Sequence, residues 1–263
     1  MSTPGKDWDG AAYQRLSDPQ FRWGMKVLER VGALRGDETV LDVGCGSGRL
    51  TAELLERVPR GRVLANDASA SMLEQARQQL ARFGERVEFI PGSALDLQLD
   101  RVADLGFSTA TFHWILDHDQ LFRVLYRALK PGGRVVAQCG GGPNLHWIRA
   151  RGEELMNATR FKPFFREWKS PWLYAGPEET TERLKAAGFV AVEAWLESTP
   201  TPFDTEQAYR AFTEKVVMRP YLQAITDEAR RAEFMNELTA LAAKDDPPYT
   251  LDYWRMNINA RKA

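Results

Sequence analysis

The sequence is poor in the residues that build crosslinked, metal-bound or histidine-based sites. It has 2 cysteines, Cys45 and Cys139, in 263 residues, which excludes a disulfide framework, and their spacing is not a zinc-binding pattern. The 3 histidines, His113, His118 and His146, are accompanied by no Ser-His-Asp or metal-ligand set. We therefore expect buried reduced thiols and no metal ion, with His118 and His146 as ordinary surface or capping residues.

Long apolar runs and an excess of charge are also absent. No stretch reaches the roughly 18 apolar residues of a membrane-spanning helix, and the N-terminus lacks the apolar segment of a secretory signal. Basic and acidic residues number 35 and 36, so nothing indicates a surface for nucleic acid or an anionic membrane. We expect a cytoplasmic protein that acts on a small molecule, without nucleic-acid or membrane partners. A monomer and a dimer are both compatible with the sequence.

Short β-branched strands alternate with helices along the first half of the chain. Five apolar runs have the length and composition of buried parallel strands. They cover residues 39–43, 62–67, 87–90, 103–108 and 134–139. Apolar residues at helical spacing separate them, most clearly from Ser69, a predicted N-cap, to Leu80. A further helix is predicted from Leu121 to Leu129, ending before a turn at 130–133. This alternation predicts an α/β fold with a doubly wound, mostly parallel sheet.

The pattern changes after the fifth strand. Further strands at 190–196 and 252–261 complete a seven-stranded, Rossmann-like sheet. The intervening residues are aromatic-rich or helical, which predicts a helical cap inserted before the last strand, roughly over residues 144–176 and 204–243.

The residues before the first strand have helical spacing over 13–34, interrupted at the Asp18-Pro19 pair. We therefore divide the chain into three parts. These are an N-terminal helical segment or lid (1–38), a ligand-binding core (39–139), and the remaining sheet with the substrate cap (140–263).

A glycine-rich loop follows the first predicted strand and opens a helix. Gly44, Gly46 and Gly48 allow tight turning and let a ligand approach the backbone. The helix N-terminus adds N–H groups that favour a carboxylate or phosphate. The Gly-x-Gly-x-Gly spacing differs from the Gly-x-Gly-x-x-Gly of dinucleotide-binding proteins, which disfavours a nicotinamide oxidoreductase.

Two acidic residues accompany the loop at the carboxyl edge of the sheet. Asp42 lies just before it, where a carboxylate repels a pyrophosphate but suits the ammonium of an amino-acid moiety. Asp67 ends the second strand, about 20 residues on, where it can accept hydrogen bonds from a ribose diol. Each feature also has a structural alternative: chain reversal for the glycines, internal hydrogen bonding for Asp42, and capping of the Ser69 helix for Asp67.

Three segments together resemble the successive motifs of class I S-adenosylmethionine-dependent methyltransferases. They are LDVGCGSG at 41–48, Asn66-Asp67, and LKPGG at 129–133, and the resemblance covers residues 39–139. It implies that this core binds S-adenosylmethionine, with Gly44 and Gly46 along the methionine moiety, Asp42 near its end, and Asp67 on the ribose. The remaining cofactor-binding residues that it implies are Ala68, Met72, Ser93, Ala94 and Thr109, the first two beside the adenine.

One position departs from the family pattern. Many members carry Gly-Asp-Ala after the third strand, where the Asp accepts a hydrogen bond from the adenine amino group, whereas this chain has Gly92-Ser93-Ala94. Ser93 can still hydrogen-bond adenine, but without charge. Asp96 is a second candidate for that contact.

Two further segments resemble the trans-aconitate methyltransferases: TATFHWILDH at 109–118 and MRPYL at 218–222. The resemblance, which juvenile-hormone-acid methyltransferases share in layout, implies methyl transfer to a carboxylate of a small acid. His113 would then orient the acceptor oxygen, or act as a base for a hydroxyl substrate, and Trp114 would pack on cofactor or substrate. The candidate substrate-binding residues are Tyr13 in the N-terminal segment, Trp172 in an aromatic lid, and Arg219 as a carboxylate partner.

Two alternatives to carboxylate methylation remain at this point. One is methyl transfer to a hydroxyl, amine or carbon of a secondary metabolite, because the acceptor pocket lies in the variable cap. The other is a non-catalytic S-adenosylmethionine-binding or partner-binding protein. A carboxylate is already nucleophilic at neutral pH, so such an enzyme needs positioning and water exclusion more than a strong base.

Overall fold

The computed structural model describes residues 18–263 of the chain, with side chains from Phe21 onward. The helices are α1 (Asp18–Val31), α2 (Arg49–Arg57), α3 (Ala70–Leu80), α4 (His118–Ala128), α5 (His146–Asn157), α6 (Pro177–Ala186), α7 (Glu206–Phe212), α8 (Arg219–Ala224) and α9 (Glu228–Ala242). The strands are β1 (Thr39–Val43), β2 (Arg62–Asp67), β3 (Val87–Pro91), β4 (Ala103–Thr109), β5 (Leu129–Gly140), β6 (Phe189–Ser198), β7 (Thr201–Pro202), β8 (Thr250–Leu251) and β9 (Trp254–Lys262). No helix among these residues is long and apolar enough to cross a membrane.

Seven strands form one sheet in the order β3-β2-β1-β4-β5-β9-β6. Strands β1 to β5 are parallel, and β9 runs antiparallel between β5 and β6. The predicted seven-stranded, mostly parallel Rossmann-like sheet is therefore confirmed. Because β1 lies inside the sheet, between β2 and β4, Val40 to Val43 are all buried. A strand covered on both faces carries a nearly continuous apolar run, which only Asp42 interrupts here.

Helices cover both faces of the sheet, and each face has its own apolar core. Helices α1, α2 and α3 pack on one face through residues such as Val27, Leu55 and Ala76. Helices α4 and α6 pack on the other through Phe122 and Leu184. Each helix buries its apolar face against the sheet, and because the helices are divided between the two faces, the arrangement is doubly wound.

A third core lies in the cap. It is formed by α5, the aromatic segment 161–174, helices α7 to α9, and Tyr253, which leads into β9. The aromatic side chains Phe161, Tyr209, Tyr221 and Phe234 are at most 1% exposed, and Phe161 packs edge-on against Phe234 with ring centroids 5.2 Å apart. The cap therefore has a packed interior of its own. The boundaries of the three parts of the chain stay predictions.

Two elements begin well before their predicted starts. Helix α4 begins at His118 rather than near Leu121, because Asp117 caps it: its Oδ1 accepts a hydrogen bond from Gln120 N at 2.8 Å. Strand β5 begins at Leu129, opposite Ala103, and includes the predicted turn at 130–133 as an irregularity in the pairing with β4. The first turn of α4 is polar, so the spacing of apolar residues does not reveal where the helix begins.

Candidate active site

The glycine loop turns through left-handed backbone conformations at the carboxyl end of β1. Gly44 has φ +75° and Gly46 has φ +57°. A Cβ on Gly44 would lie 2.0 Å from Thr111 Oγ1, so this glycine is required by a close approach within the protein. A Cβ on Gly46 would meet no atom within 4 Å. The loop is therefore closed toward β4 at Gly44 and open at Gly46, where a ligand can approach the backbone.

Asp67, at the end of β2, holds the open part of this loop. Its Oδ2 accepts from Gly46 N and its Oδ1 accepts from Ser69 N, both at 2.8 Å. Ser69 in turn caps α3, its Oγ accepting from Met72 N at 3.3 Å, as predicted. The structural alternative for Asp67 is therefore present. A ribose hydroxyl would share a carboxylate whose oxygens can each accept more than one hydrogen bond.

Asn66 braces the same edge, a role that its place in the Asn66-Asp67 motif did not predict. Its backbone oxygen accepts from Gly44 N at 2.8 Å and Cys45 N at 2.9 Å, while its side-chain Nδ2 donates to Ile90 O and Gly92 O at 2.9 Å each. One residue, only 2% exposed, thus connects the glycine loop to the end of β3. A buried amide that ends an apolar strand is the signal that could have identified it.

Asp42 is enclosed between β1 and α2 and is 3% exposed. Its Oδ2 accepts a hydrogen bond from Thr51 Oγ1 at 2.7 Å. Burial raises the pKa of Asp42 to about 7, against the lowering effect of the Thr51 hydrogen bond and with a further raising effect from the negative charge of Asp67. Asp42 therefore sits near half-ionisation at neutral pH, and a positively charged ligand nearby would favour its ionised form.

The residues assigned to the adenine side differ in accessibility. Ala68 is exposed, whereas Met72 and Ala94 are buried at 4% and 6% exposure. Ser93 Oγ accepts from Leu95 N at 3.2 Å, which leaves the hydroxyl hydrogen available for a ligand. The partly exposed Thr109 ends β4 and its carbonyl accepts from Thr111 Oγ1 at 3.0 Å. Ala68, Ser93 and Thr109 are thus the accessible members of this set.

His113 lies just after β4 and is 9% exposed. Gly140 N, at the end of β5, donates to its Nδ1 at 3.2 Å, which places the ring proton on Nε2. Burial lowers the pKa of His113 to about 3, with smaller contributions from the positive charges of Arg255 and His118. The imidazole is therefore neutral at physiological pH and carries its ring proton on Nε2.

Aromatic side chains of the cap surround His113. Its ring stacks on Tyr174 at 5.6 Å and lies 5.4 Å from Trp114, and Trp114 lies 5.5 Å from Trp172. The backbone joins them as well, because Leu173 N donates to His113 O at 2.9 Å. The structure thus brings together three of the predicted residues, and it adds Tyr174, whose phenol pKa is raised to about 12 chiefly by burial.

The other predicted substrate residues are placed less directly. Arg219 is half-buried at the first position of α8, next to Pro220, whose carbonyl accepts from Trp168 Nε1 at 3.3 Å. Tyr13 lies outside the described residues. His118, expected to be an ordinary surface or capping residue, is 4% exposed, and its Nε2 donates to Phe112 O at 3.0 Å, so it does not lie at the surface.

Arg255, near the start of β9, is a buried cation that sequence reasoning did not find. It is 5% exposed, and its guanidinium lies 3.7 Å from the ring centre of Trp23 and 4.2 Å from that of Tyr253. Burial is the larger influence on both neighbouring groups; the positive charge of Arg255 adds to the lowering of the His113 pKa and opposes the rise of the Tyr174 pKa. Polar residues alternate with apolar ones along β9, which was the available signal of a polar strand face.

The crevice at this edge fits S-adenosylmethionine. The Asp67 carboxylate at the end of β2 would accept from the ribose, and the open space beside Gly46 would take the methionine moiety. Asp42, once ionised, would attract its cationic ammonium group. The strand order reverses beside β1, and open α/β sheets bind ligands at that point. Fold and crevice are together those of a class I S-adenosylmethionine-dependent methyltransferase.

Comparison with known proteins agrees with this class. The profile of a methyltransferase domain matches residues 40–133. A trans-aconitate 2-methyltransferase of Methylobacterium radiotolerans is 35% identical, over 98% of this chain and 99% of that protein. One from Azoarcus sp. is 30% identical, over 86% and 85%. The chain belongs to this family of methyltransferases.

Solved structures show the same fold at low sequence identity. The YcgJ protein of Bacillus subtilis is 18% identical with a TM-score of 0.63, over 92% of this chain and 98% of that one. Phosphoethanolamine N-methyltransferase 2 of Haemonchus contortus, solved with S-adenosylhomocysteine, is 20% identical with a TM-score of 0.62. This chain, 96% of which is covered, spans 56% of the Haemonchus protein. The protein is an enzyme that uses S-adenosylmethionine.

Proposed function

We propose that this enzyme transfers the methyl group of S-adenosylmethionine to a carboxylate oxygen of a small organic acid, forming a methyl ester. The observation that carries the proposal is the state of His113. Its Nδ1 accepts from Gly140 N and its pKa is lowered to about 3, so it stays neutral over the physiological range and can only donate from Nε2. An acceptor that must lose a proton finds no base in this histidine.

Among the residues that the structure describes, the other titratable groups around His113 do not supply a base either. Burial raises the pKa of Tyr174 and of Cys139 to about 12, so both are protonated at neutral pH. Asp42 is enclosed between β1 and α2 and bonded to Thr51. A carboxylic acid, with an ordinary pKa near about 4, is already ionised and needs no base. A hydroxyl or ammonium acceptor would need one.

The chain's residues then have positioning roles. Bound S-adenosylmethionine supplies an electrophilic methyl group on a positively charged sulfur. Gly46 and Asp67 would hold its methionine and ribose moieties, and the Nε2–H of His113 would orient the acceptor oxygen. Trp114, Trp172 and Tyr174 would exclude water from the reacting atoms. The names of the relatives support the same acceptor class, because trans-aconitate is a tricarboxylic acid.

The experiment is a methyl-transfer screen with labelled S-adenosylmethionine. The acceptors are trans-aconitate, fumarate, a catechol and a primary amine, and a methyl ester is recognised because alkali releases its label as methanol. We expect label only with the acids. Alkali-stable label on the catechol or the amine, with none on the acids, would show that the acceptor assignment is wrong.

The role of His113 is tested by the pH dependence of kcat/KM for the best acid. In His113→Phe, kcat/KM is expected to fall by about tenfold or more, because the oriented donor is lost. The shape of its pH profile should match that of the wild type, since His113 is neutral throughout pH 5–9 in the proposed mechanism. Loss of a limb of the profile in the variant would instead identify His113 as the base.

A further inference from the structure

Resting on the proposed function, the geometry points to Arg255 as the residue that binds the acceptor, through a carboxylate other than the one that is methylated. Strand register places Arg255 opposite Gly140, the residue whose N–H donates to His113. Arg255 therefore lies at the same level of the sheet as Gly140, to which the proposed donor His113 is hydrogen-bonded. This level lies at the carboxyl ends of the parallel strands, where ligands bind in such sheets.

Directly opposed residues in antiparallel strands share one face of the sheet. Tyr174 covers that face over Gly140, since a Cβ there would lie 2.7 Å from its Cε1. The side chain of Arg255 thus emerges on the face where Tyr174 and His113 form the aromatic wall. Carboxylates bound between that wall and β9 would reach both His113 and Arg255.

The surroundings of Arg255 suit anion recognition. Trp23 and Tyr253 contact the guanidinium by their ring faces, at 3.7 and 4.2 Å from their centres. The N–H groups of a guanidinium lie in its plane, so stacking leaves their geometry suited to a planar, bidentate carboxylate. At 5% exposure the charge is poorly hydrated, and a buried cation attracts an anion more strongly than one in water.

The chemistry requires that this carboxylate is not the reacting one. A bidentate ion pair with the attacking oxygen would lower its nucleophilicity, whereas His113 donates a single neutral hydrogen bond. Arg255 therefore acts as a specificity determinant and leaves the reacting oxygen unpaired. An acceptor with one carboxylate would bind weakly.

The test compares fumarate with crotonate, in which a methyl group replaces one carboxylate, as acceptors for the wild type and Arg255→Met. For the wild type, KM for fumarate should lie about 10- to 100-fold below that for crotonate. In Arg255→Met this preference should shrink to within about threefold, with the affinity for S-adenosylhomocysteine, measured by calorimetry, unchanged. Replacement of a buried charge by an apolar side chain of similar volume usually preserves folding.

The matched control is Arg30→Met. Arg30 also lies over an indole, at 4.9 Å from the ring centre of Trp195, and hydrogen-bonds Asn257 further along β9. We expect it to keep the wild-type preference for fumarate. An Arg255→Met enzyme with the wild-type preference overturns the assignment, as does equal loss in both variants.

If Arg255→Met does not fold, Arg255→Lys decides the question. Lysine keeps the charge but lacks the bidentate fork, so the preference for fumarate should fall yet stay above that of an uncharged residue. An unchanged preference in Arg255→Lys would overturn the assignment. If the wild type esterifies neither acid nor trans-aconitate, the proposed function fails. If it esterifies them and Arg255 has no effect, only this inference fails.

Discussion

Two of the glycines at which an added Cβ would meet no protein atom, Gly46 and Gly32, allow the ligand crevice to be tested separately from the fold. Gly46 and Gly32 have similar left-handed conformations, with φ of +57° and +67°, and a Cβ on either would meet no protein atom within 4 Å. Both keep their N–H bonded, Gly46 to Asp67 and Gly32 to Glu29. Alanine therefore imposes the same backbone strain at both positions, but only Gly46 lies in the crevice.

The magnitudes follow from these contacts. A left-handed alanine costs about 1–2 kcal/mol, and in a chain of this size each kcal/mol lowers the Tm by about 2–4 °C. We therefore expect Gly46→Ala and Gly32→Ala each to lower the Tm of the ligand-free protein by about 2–8 °C. At Gly46 the methyl group would also occupy ligand space, and such overpacking costs about 1–3 kcal/mol, or about 5- to 150-fold in affinity.

Thermal unfolding and calorimetric titration with S-adenosylhomocysteine measure the two effects. The expected result is a comparable Tm decrease in both variants, with weaker binding in Gly46→Ala alone. Wild-type affinity in Gly46→Ala would refute the placement of the cofactor along the loop. Equal weakening in Gly32→Ala would show that the binding loss comes from backbone strain, not from occupied space.

Three further substitutions have expected outcomes. Asp42→Asn keeps the hydrogen bond from Thr51. Burial raises the carboxyl pKa of Asp42 to about 7 in the folded protein, so the stability that this carboxyl contributes below pH 4 is lost as the pH rises to 7. Asparagine does not ionise, so the gain in Tm of Asp42→Asn over the wild type should be larger at pH 8 than at pH 5. A gain independent of pH would contradict the raised pKa. Asp67→Asn removes the charge and one acceptor, and should weaken binding of S-adenosylhomocysteine by about 10- to 100-fold in calorimetry; unchanged affinity would exclude Asp67 from the site. Phe234→Ala, in the cap core, should cost about 3–5 kcal/mol in denaturant unfolding, and a cost below about 1 kcal/mol would show that the core is not tightly packed.

The sheet could be predicted because its signals are local. β1 is buried on both faces, and the glycines at its end are required by backbone conformations within a few residues. The N-cap at Ser69 is equally local, since its hydroxyl bonds the next turn of the same helix. The start of α4 was missed because a polar cap, Asp117, and not an apolar residue defines it.

The sequence predicted which residues belong to the site better than it predicted their protonation and burial. His113 is recognisable from its segment, but the contact that makes it a donor comes from Gly140, on another strand. Arg255 was missed for a similar reason. An arginine in a strand is usually exposed, and this one is buried because Trp23 of α1, at the other end of the chain, packs over it. Contacts between distant segments decide the protonation and burial of a side chain, and no local pattern contains them.

The separate aromatic interior of the cap has a consequence for how such an enzyme can change. Phe161, Tyr221 and Phe234 pack among themselves and not into the cores that flank the sheet. Mutations that reshape this interior would move the acceptor-facing side chains while the nucleoside-binding loops keep their bracing by Asn66. Substitutions in the cap core can thus change the acceptor preference, while the loops at the sheet edge continue to bind the methyl donor.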